Sequence, residues 1–147
     1  MRPLTMAYAF ILGTLASVCA AQPVQSFGQG NDESVAVRVV DKTSRYCHIE
    51  FERPRHHVEA QLVRRGYRPI EAGAQYRMRI EVTGERSEPF TGHVLCKGYL
   101  RVILQDYDAH EDTTPLMERT VPVGASNEWP LFSRAVLRAI DTVFRNF

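Results

Sequence analysis

The order of apolar and polar residues along the chain predicts several β-strands. The segment QYRMRIEVT (75–83) alternates most regularly, which indicates a strand with one buried and one exposed face. Its core-facing side would carry Tyr76, Met78, Ile80 and Val82, and its solvent-facing side Gln75, Arg77, Arg79 and Glu81. Alternating or β-branched runs predict further strands over 34–41, 46–52, 93–106 and 116–123. Pro122 predicts that the last of these strands lies at a sheet edge, because proline cannot donate a ladder hydrogen bond.

Two other segments have the 3.6-residue period of an amphipathic helix. In the first, over residues 54–66, Val58, Leu62 and Val63 form a narrow apolar stripe, and Gly66 suits the left-handed residue that ends a helix. In the second, over residues 126–147, apolar residues repeat at the helical period: Phe132, Val136, Ile140, Val143, Phe144 and Phe147. The order of these elements predicts an α+β fold, with an antiparallel or mixed sheet of about four to six strands and two helices packed on one face.

The amino-terminal residues resemble a secretory signal peptide, with Arg2 at the positive end and an apolar stretch over 7–18. That stretch is too short to span a bilayer as a helix, which takes roughly 20 apolar residues. Cleavage near Ala20/Ala21 would leave a mature chain in the periplasm or outside the cell, without a transmembrane segment. The predicted organisation is a signal peptide over 1–21, a flexible lead-in over 22–33 and a single α+β domain over 34–147.

The cysteines predict one disulfide bond. Cys19 would leave with the signal peptide, and lipidation there is not expected, because Val18 stands where the lipidation signal has a small residue. Cys47 and Cys96 remain, and two cysteines in an oxidising compartment most simply pair with each other. Both also fall on the core-facing sides of predicted strands. Two free, buried thiols are the alternative.

Charge and motifs argue against several functions. The 18 Lys and Arg residues nearly balance the 17 Asp and Glu residues, so no general attraction to nucleic acid is expected. The sequence has no GxSxG, HExxH or CxxC motif. We therefore predict that the protein is not an enzyme and needs no cofactor.

The adjacent histidines His56 and His57 invite a metal-site interpretation. Neighbouring helical residues point about 100° apart, so the pair cannot easily hold one ion. A helical metal pair needs ligands four residues apart, where this chain has Ala60 and Gln61. We therefore predict an ordinary helix face, with His57 exposed to solvent, and no metal.

The acidic segment Asp106–Asp112 begins like a calcium-binding loop. The pattern breaks at its sixth residue, Glu111 in place of glycine, and at its twelfth, Met117 in place of glutamate. A solvated loop is the simpler interpretation, since Asp and Thr favour turns. Whether this loop binds a cation stays open.

Arginines offer the better candidate for a binding surface. Arg77 and Arg79 project from the same side of a predicted strand, and Arg64 and Arg65 lie nearby in the sequence. Arginine guanidinium groups bind carboxylates and phosphates through two parallel hydrogen bonds. The four residues are a possible binding face for an anionic partner, although nearby acidic residues such as Glu81 could instead neutralise them.

Three short stretches, Leu62–Tyr67, Ala74–Val82 and Ala135–Val143, resemble those of small bacterial envelope domains. These include the amino-terminal domain of the Tol–Pal β-propeller protein and accessory lipoproteins of curli, polysaccharide and lipopolysaccharide export. The chain departs from them at Gln75, where an aspartate is usual, and in lacking the lipidation signal. The resemblance implies a non-enzymatic adaptor and brings no catalytic residue.

Together these features predict a periplasmic or secreted adaptor that binds another protein of the bacterial envelope. The alternative is a binding or inhibitor module for an anionic polysaccharide, a lipid or a secreted enzyme. Strong salt dependence would favour an anionic ligand, because exposed charge contacts are screened.

Overall fold

The computed structural model describes residues 32–87, 95–110, 112–126 and 131–147. In chain order its elements are β1 (Ser34–Thr43), α1 (Glu52–Val63), β2 (Arg68–Pro69), β3 (Tyr76–Ser87), β4 (Leu95–Asp106), β5 (Met117–Ser126) and α2 (Leu131–Arg145). The predicted signal peptide and most of the lead-in lie outside the described residues.

The strands form one mixed sheet in the order β2-β1-β3-β4-β5. β1 pairs in parallel with both β2 and β3, whereas β3, β4 and β5 follow one another as antiparallel neighbours. Parallel neighbours need a crossover connection, and α1 lies within the one between β1 and β3. The predicted α+β fold is confirmed, and so is the edge position of the strand that contains Pro122.

One face of the sheet packs against both helices and forms the core. Met78, Ile80 and Val82 of β3 are fully buried there, as their alternation predicts. Further buried side chains come from the neighbouring strand β4 and from the two helices: Leu100, Val102, Leu104, Val58, Leu62, Val136, Ile140, Val143 and Phe144. Burial of each such side chain stabilises the fold by about 1.5–3 kcal/mol, before its ordering cost.

The predicted strand over residues 46–52 is wrong. This segment joins no ladder of the described sheet. It turns directly after β1, where the Cys47 amide donates to the Ser44 carbonyl at 2.9 Å. Cys47 and Ile49 are nevertheless buried, so the alternation reflects an irregular segment that lies against the core.

The end of α1 follows part of the predicted pattern. Gly66 has φ +83°, and the Tyr67 amide closes the turn on the Leu62 carbonyl at 3.1 Å. Val63 is 59% exposed, so its assignment to the apolar stripe is wrong. The segment with left-handed Gly66 redirects the chain into the short edge strand β2.

The structure contains the predicted disulfide bond between Cys47 and Cys96, with the two Cα atoms 5.6 Å apart. Both cysteines are buried, and the bond joins the irregular segment after β1 to the start of β4. Among the described helices, none is long and apolar enough to cross a membrane.

Candidate binding face of the sheet

The sheet face that points away from α1 and α2 is called the outer face below. Its residues alternate with those of the core along each strand, and no helix of the described chain packs on it. From β1 to β5 its larger side chains are Arg38, Val40, Lys42, Arg68, Arg77, Arg79, Glu81, Thr83, Glu85, Lys97, Tyr99, Arg101, Ile103, Gln105, Glu118, Thr120 and Pro122.

Basic side chains predominate on the outer face. In the part of the chain that the structure describes, seven basic residues face three acidic ones there. The basic residues are Arg38, Lys42, Arg68, Arg77, Arg79, Lys97 and Arg101, and the acidic residues are Glu81, Glu85 and Glu118. The whole chain is close to neutral, so this excess is local and favours an anionic partner at this surface.

Glu81 lies at the centre of these charges. Its side chain is only 8% exposed, and its Oε1 atom lies 3.1 Å from Lys42 Nζ and 3.3 Å from Arg79 Nε. Arg101 Nη1 approaches the other carboxylate oxygen at 3.6 Å. The prediction that Glu81 faces water is therefore wrong: it points to the outer face, but cationic side chains from three strands cover it.

A second pair, Arg101 and Glu118, continues this network toward β5. Arg101 Nε donates to Glu118 Oε1 at 2.8 Å. This hydrogen bond lowers the pKa of the Glu118 carboxyl and raises the pKa of the Arg101 guanidinium. Both groups are exposed, so the pair positions Arg101 more than it stabilises the fold.

A groove with a volume of about 640 Å³ occupies the end of the outer face near the disulfide. It is called the Tyr99 groove below and is lined by Thr83, Gly84, Glu85, Lys97, Gly98, Tyr99, Pro122, Val123 and Gly124. Tyr99 is 58% exposed, an unusual position for a large aromatic side chain on a sheet. The glycines of the lining carry no side chain, so a flat ligand group can approach the backbone of the groove closely.

Gly98 is required by the local backbone geometry of this groove. A Cβ atom at this position would lie 1.9 Å from the Thr83 carbonyl oxygen, far inside contact distance. The Thr83 hydroxyl takes part in the strand pairing here, since it accepts from the Tyr99 amide at 3.0 Å and donates to the Tyr99 carbonyl at 3.3 Å. The close approach of β3 and β4 therefore shapes the groove and positions Tyr99 above it.

The β5 edge of the sheet offers little to an added strand. At the other edge β2 has only two residues and pairs with Ser34 and Val35 alone, so the rest of β1 has no described strand on that side. In β5, Pro122 lies opposite Tyr99, whose backbone N–H and C=O point toward β3. The backbone of Pro122 consequently faces the open edge, where it has no N–H to donate, and proline at an edge is a known protection against strand addition.

The four arginines of the predicted binding face do not form one surface. Arg65 lies on the helix side, where it donates to the carbonyl oxygens of Gln61 and Phe144 and covers the Phe144 ring. Arg64 is exposed just beyond the end of α1. Arg77 and Arg79 lie on the outer face instead, and Arg77 donates to the Ala109 carbonyl at 3.2 Å.

His56 and His57 lie on the helix side, and the prediction that His57 is exposed to solvent is wrong. Its Nε2 atom lies 2.7 Å from Asp141 Oδ1 of α2, and Gln61 Nε2 donates to the same oxygen at 2.8 Å. His56 is exposed beside Glu52. Over residues 32–87, 95–110, 112–126 and 131–147, no group of three or more His, Cys, Asp and Glu side chains could hold a metal ion.

Whether the acidic loop that follows β4 binds a cation stays open. Asp108 and Asp112 are exposed, and the Ala109 amide donates to the Asp106 carbonyl in a turn. Glu111, the sixth residue of the calcium-like pattern, lies outside the described residues. Nothing in the described part of the loop supports calcium over a solvated turn.

Sequence reasoning missed Arg38, Lys42 and Tyr99 as members of a binding surface. Tyr99 shares its strand parity with Lys97 and Arg101, so the alternation in β4 contained the signal. Arg38 and Lys42 join the surface through the parallel pairing of β1 with β3, where Arg38 lies beside Arg79. No local pattern reveals that pairing.

No family model matches the sequence, and no curated protein matches it either. Solved structures do share the fold. A minor lipoprotein from Acinetobacter baumannii matches with a TM-score of 0.54 and 14% identity, over 78% of this chain and 91% of its own.

Two further structures match at a similar level. A lipoprotein from Neisseria meningitidis has a TM-score of 0.51 and 11% identity, over 78% of this chain and 99% of its own. A hypothetical protein from Chlamydia trachomatis has a TM-score of 0.50 and 11% identity, over 77% of this chain and 96% of its own. At such low identity these matches establish a common fold.

Proposed function

We propose that the protein is a non-enzymatic adaptor of the bacterial envelope, periplasmic or secreted, which holds its partner on the outer face of the sheet. Three features support the envelope. The chain begins with a signal-like segment, it contains a disulfide bond of the kind that persists in oxidising compartments, and its fold occurs in two bacterial lipoproteins.

The sheet face without a described helix carries the proposal: Ile103 and Gln105 are buried toward one end of it, whereas Tyr99 is exposed toward the other. Both helices pack on the other side, and the outer face exposes Tyr99 together with a local excess of positive charge. Exposed aromatic and arginine side chains are enriched at protein interfaces. A face of this composition is expected to be covered by a partner.

The polar groups that would suggest catalysis are engaged with other residues. His57 is held by Asp141 on the helix side, away from the groove. Glu81 is covered by three cations, so it is not presented to a substrate. Neither group is presented to a ligand in the Tyr99 groove, which supports a binding role for this face.

The test is site-specific photo-crosslinking in the host cell. Tyr99 is replaced by a photoreactive phenylalanine derivative, and the matched control carries it at Arg134, an exposed position on α2. We expect an adduct with one envelope component from position 99 and none from position 134. The adduct is then identified by mass spectrometry.

Two results would contradict the proposal. Adducts formed only from position 134 would move the contact surface to the helix side. Fractionation of the tagged native protein to the cytoplasm would exclude an envelope role altogether.

A further inference from the structure

We propose that the Tyr99 groove binds an acidic polysaccharide, with one sugar ring packed on Tyr99 and its carboxylate beside Lys97. This inference rests on the proposed function, because it names the chemistry of the partner that the outer face would hold. It goes beyond that function by assigning a defined subsite and the residues that recognise the ligand.

The shape of the groove suits a sugar ring. Its volume of about 640 Å³ falls within the range of small-ligand pockets, roughly 300–1,000 Å³. Tyr99 offers an exposed aromatic face, and Pro122 lies beside it on the next strand. Gly124, on the same face as Tyr99, adds no side chain beside them, so the C–H face of a pyranose ring can rest on Tyr99 while its hydroxyls reach neighbouring polar groups.

The charges around the groove select an anion. Lys97 lies two residues from Tyr99 on the same face of β4 and directly opposite Glu85 of β3, although its ammonium makes no ion pair with a described residue. Lys42 lies on the same cross-strand row as Tyr99, beyond Thr83, and its side chain is 53% exposed. Arg101 follows Tyr99 on its other side. Cations therefore approach the aromatic ring from three directions, and a carboxylated sugar complements them better than a neutral one.

A polymer fits better than a protein strand. Lys97, Tyr99 and Arg101 are alternate residues of β4, so they are roughly 7 Å apart along the strand. An extended chain with a carboxylate on each sugar can follow this row. At the β5 edge beside the groove, a partner strand would meet Pro122, which has no backbone N–H to donate.

The experiment measures binding of oligogalacturonate and oligomannuronate to the purified native protein by isothermal titration calorimetry at low salt. Neutral cello-oligosaccharides of the same length are the control ligands. We expect binding of at least one acidic oligomer, with affinity that falls as salt rises, and none of the neutral ones.

Variants locate the contact. Tyr99→Ala is expected to weaken binding about tenfold, which lies within the range found when an aromatic side chain that stacks on a nucleic-acid base is removed. Tyr99→Phe should keep most of the affinity, which shows that the ring acts. Lys97→Glu should weaken binding at least as much as Tyr99→Ala. The control Arg134→Glu changes the net charge by the same amount on the helix side and should leave the affinity unaltered. Thermal unfolding of each variant confirms that these exposed substitutions keep the fold.

Three outcomes would overturn the inference. The first is that neither acidic oligomer binds at millimolar concentration; the proposed function survives this result if position 99 still crosslinks to an envelope protein. The second is that Arg134→Glu weakens binding as much as Lys97→Glu does, which would show that binding depends on the net charge of the protein and not on the groove. Binding to phosphatidylglycerol vesicles with the same dependence on Tyr99 and Lys97, but to no oligomer, would assign the groove to a membrane surface instead.

Discussion

Removal of the Cys47–Cys96 bond should destabilise the protein strongly. The two cysteines are 49 residues apart in the sequence, and the loop between them includes α1, β2 and β3. On the chain-entropy model, closing a loop of this length in the unfolded state contributes about 4 kcal/mol to the free energy of unfolding. Because a whole domain is stable by only about 5–15 kcal/mol, the bond accounts for a large share.

The assay is urea unfolding followed by circular dichroism, with and without dithiothreitol. Reduction should lower the extrapolated free energy of unfolding by about 4 kcal/mol and steepen the urea dependence, because the open unfolded chain exposes more surface. The double variant Cys47→Ala/Cys96→Ala should lose somewhat more, since both cysteines are buried and their sulfur atoms leave a small cavity.

Hydrogen exchange tests where the native structure depends on the bond. Residues 46–51 join no strand ladder, so their amides should exchange faster after reduction, while those of β3 should change less. A loss of less than about 1 kcal/mol on reduction, with unchanged exchange in residues 46–51, would refute this reasoning. It would mean that packing around Ile49 already holds the segment.

Three further predictions concern single residues. Gly98→Ala forces a Cβ atom onto the Thr83 carbonyl and should cost about 3 kcal/mol of stability in urea unfolding. Tyr67→Phe removes a buried hydroxyl without a hydrogen-bond partner among the described residues, so stability should stay equal or rise by up to about 1 kcal/mol. Burial, together with the Glu33 charge, raises the pKa of the Tyr67 hydroxyl in the folded protein. The hydroxyl therefore ionises more easily in the unfolded chain, and the free energy of unfolding falls as the pH rises above about 10. Tyr67→Phe should reduce that fall. Asp141→Asn weakens the contact with His57 and should cost about 1 kcal/mol, because the pair is only half-buried.

Matched variants control two of these predictions. Gly124→Ala has its nearest neighbour at 3.9 Å and should be tolerated, so an equal loss at both glycines would contradict the clash. Asp108→Asn removes an equal charge from an exposed loop and should leave stability unchanged. A strongly destabilised Tyr67→Phe protein would show that the hydroxyl has a partner after all.

The core was predictable because it depends on local periodicity. Met78, Ile80 and Val82 alternate with polar residues, and burial of one sheet face requires that pattern wherever β3 pairs. The same rule failed at residues 46–52. There the alternation is real, but the chain turns at Ser44–Cys47 and the segment lies against the core without joining a ladder, which local alternation does not reveal.

The candidate site was predictable only in part, for the same reason. The alternation placed Arg77 and Arg79 correctly on the exposed side of their strand. Arg65 was misplaced because its partner, the Phe144 carbonyl, lies 79 residues away in the sequence. Glu81 appeared exposed because the cations that cover it come from three different strands.

The burial of Glu81 has a consequence for the outer face as a binding surface. The carboxylate neutralises one positive charge, but it also orients Lys42, Arg79 and Arg101, whose flexible side chains would otherwise lose more conformational freedom when a ligand binds. Seven basic residues against three acidic ones still leave a positive surface, and Lys97 stays outside the Glu81 network beside Tyr99. On the proposed function, an anionic partner would therefore meet three cations that Glu81 already positions and a fourth, Lys97, that lies opposite Glu85 without an ion pair to a described residue.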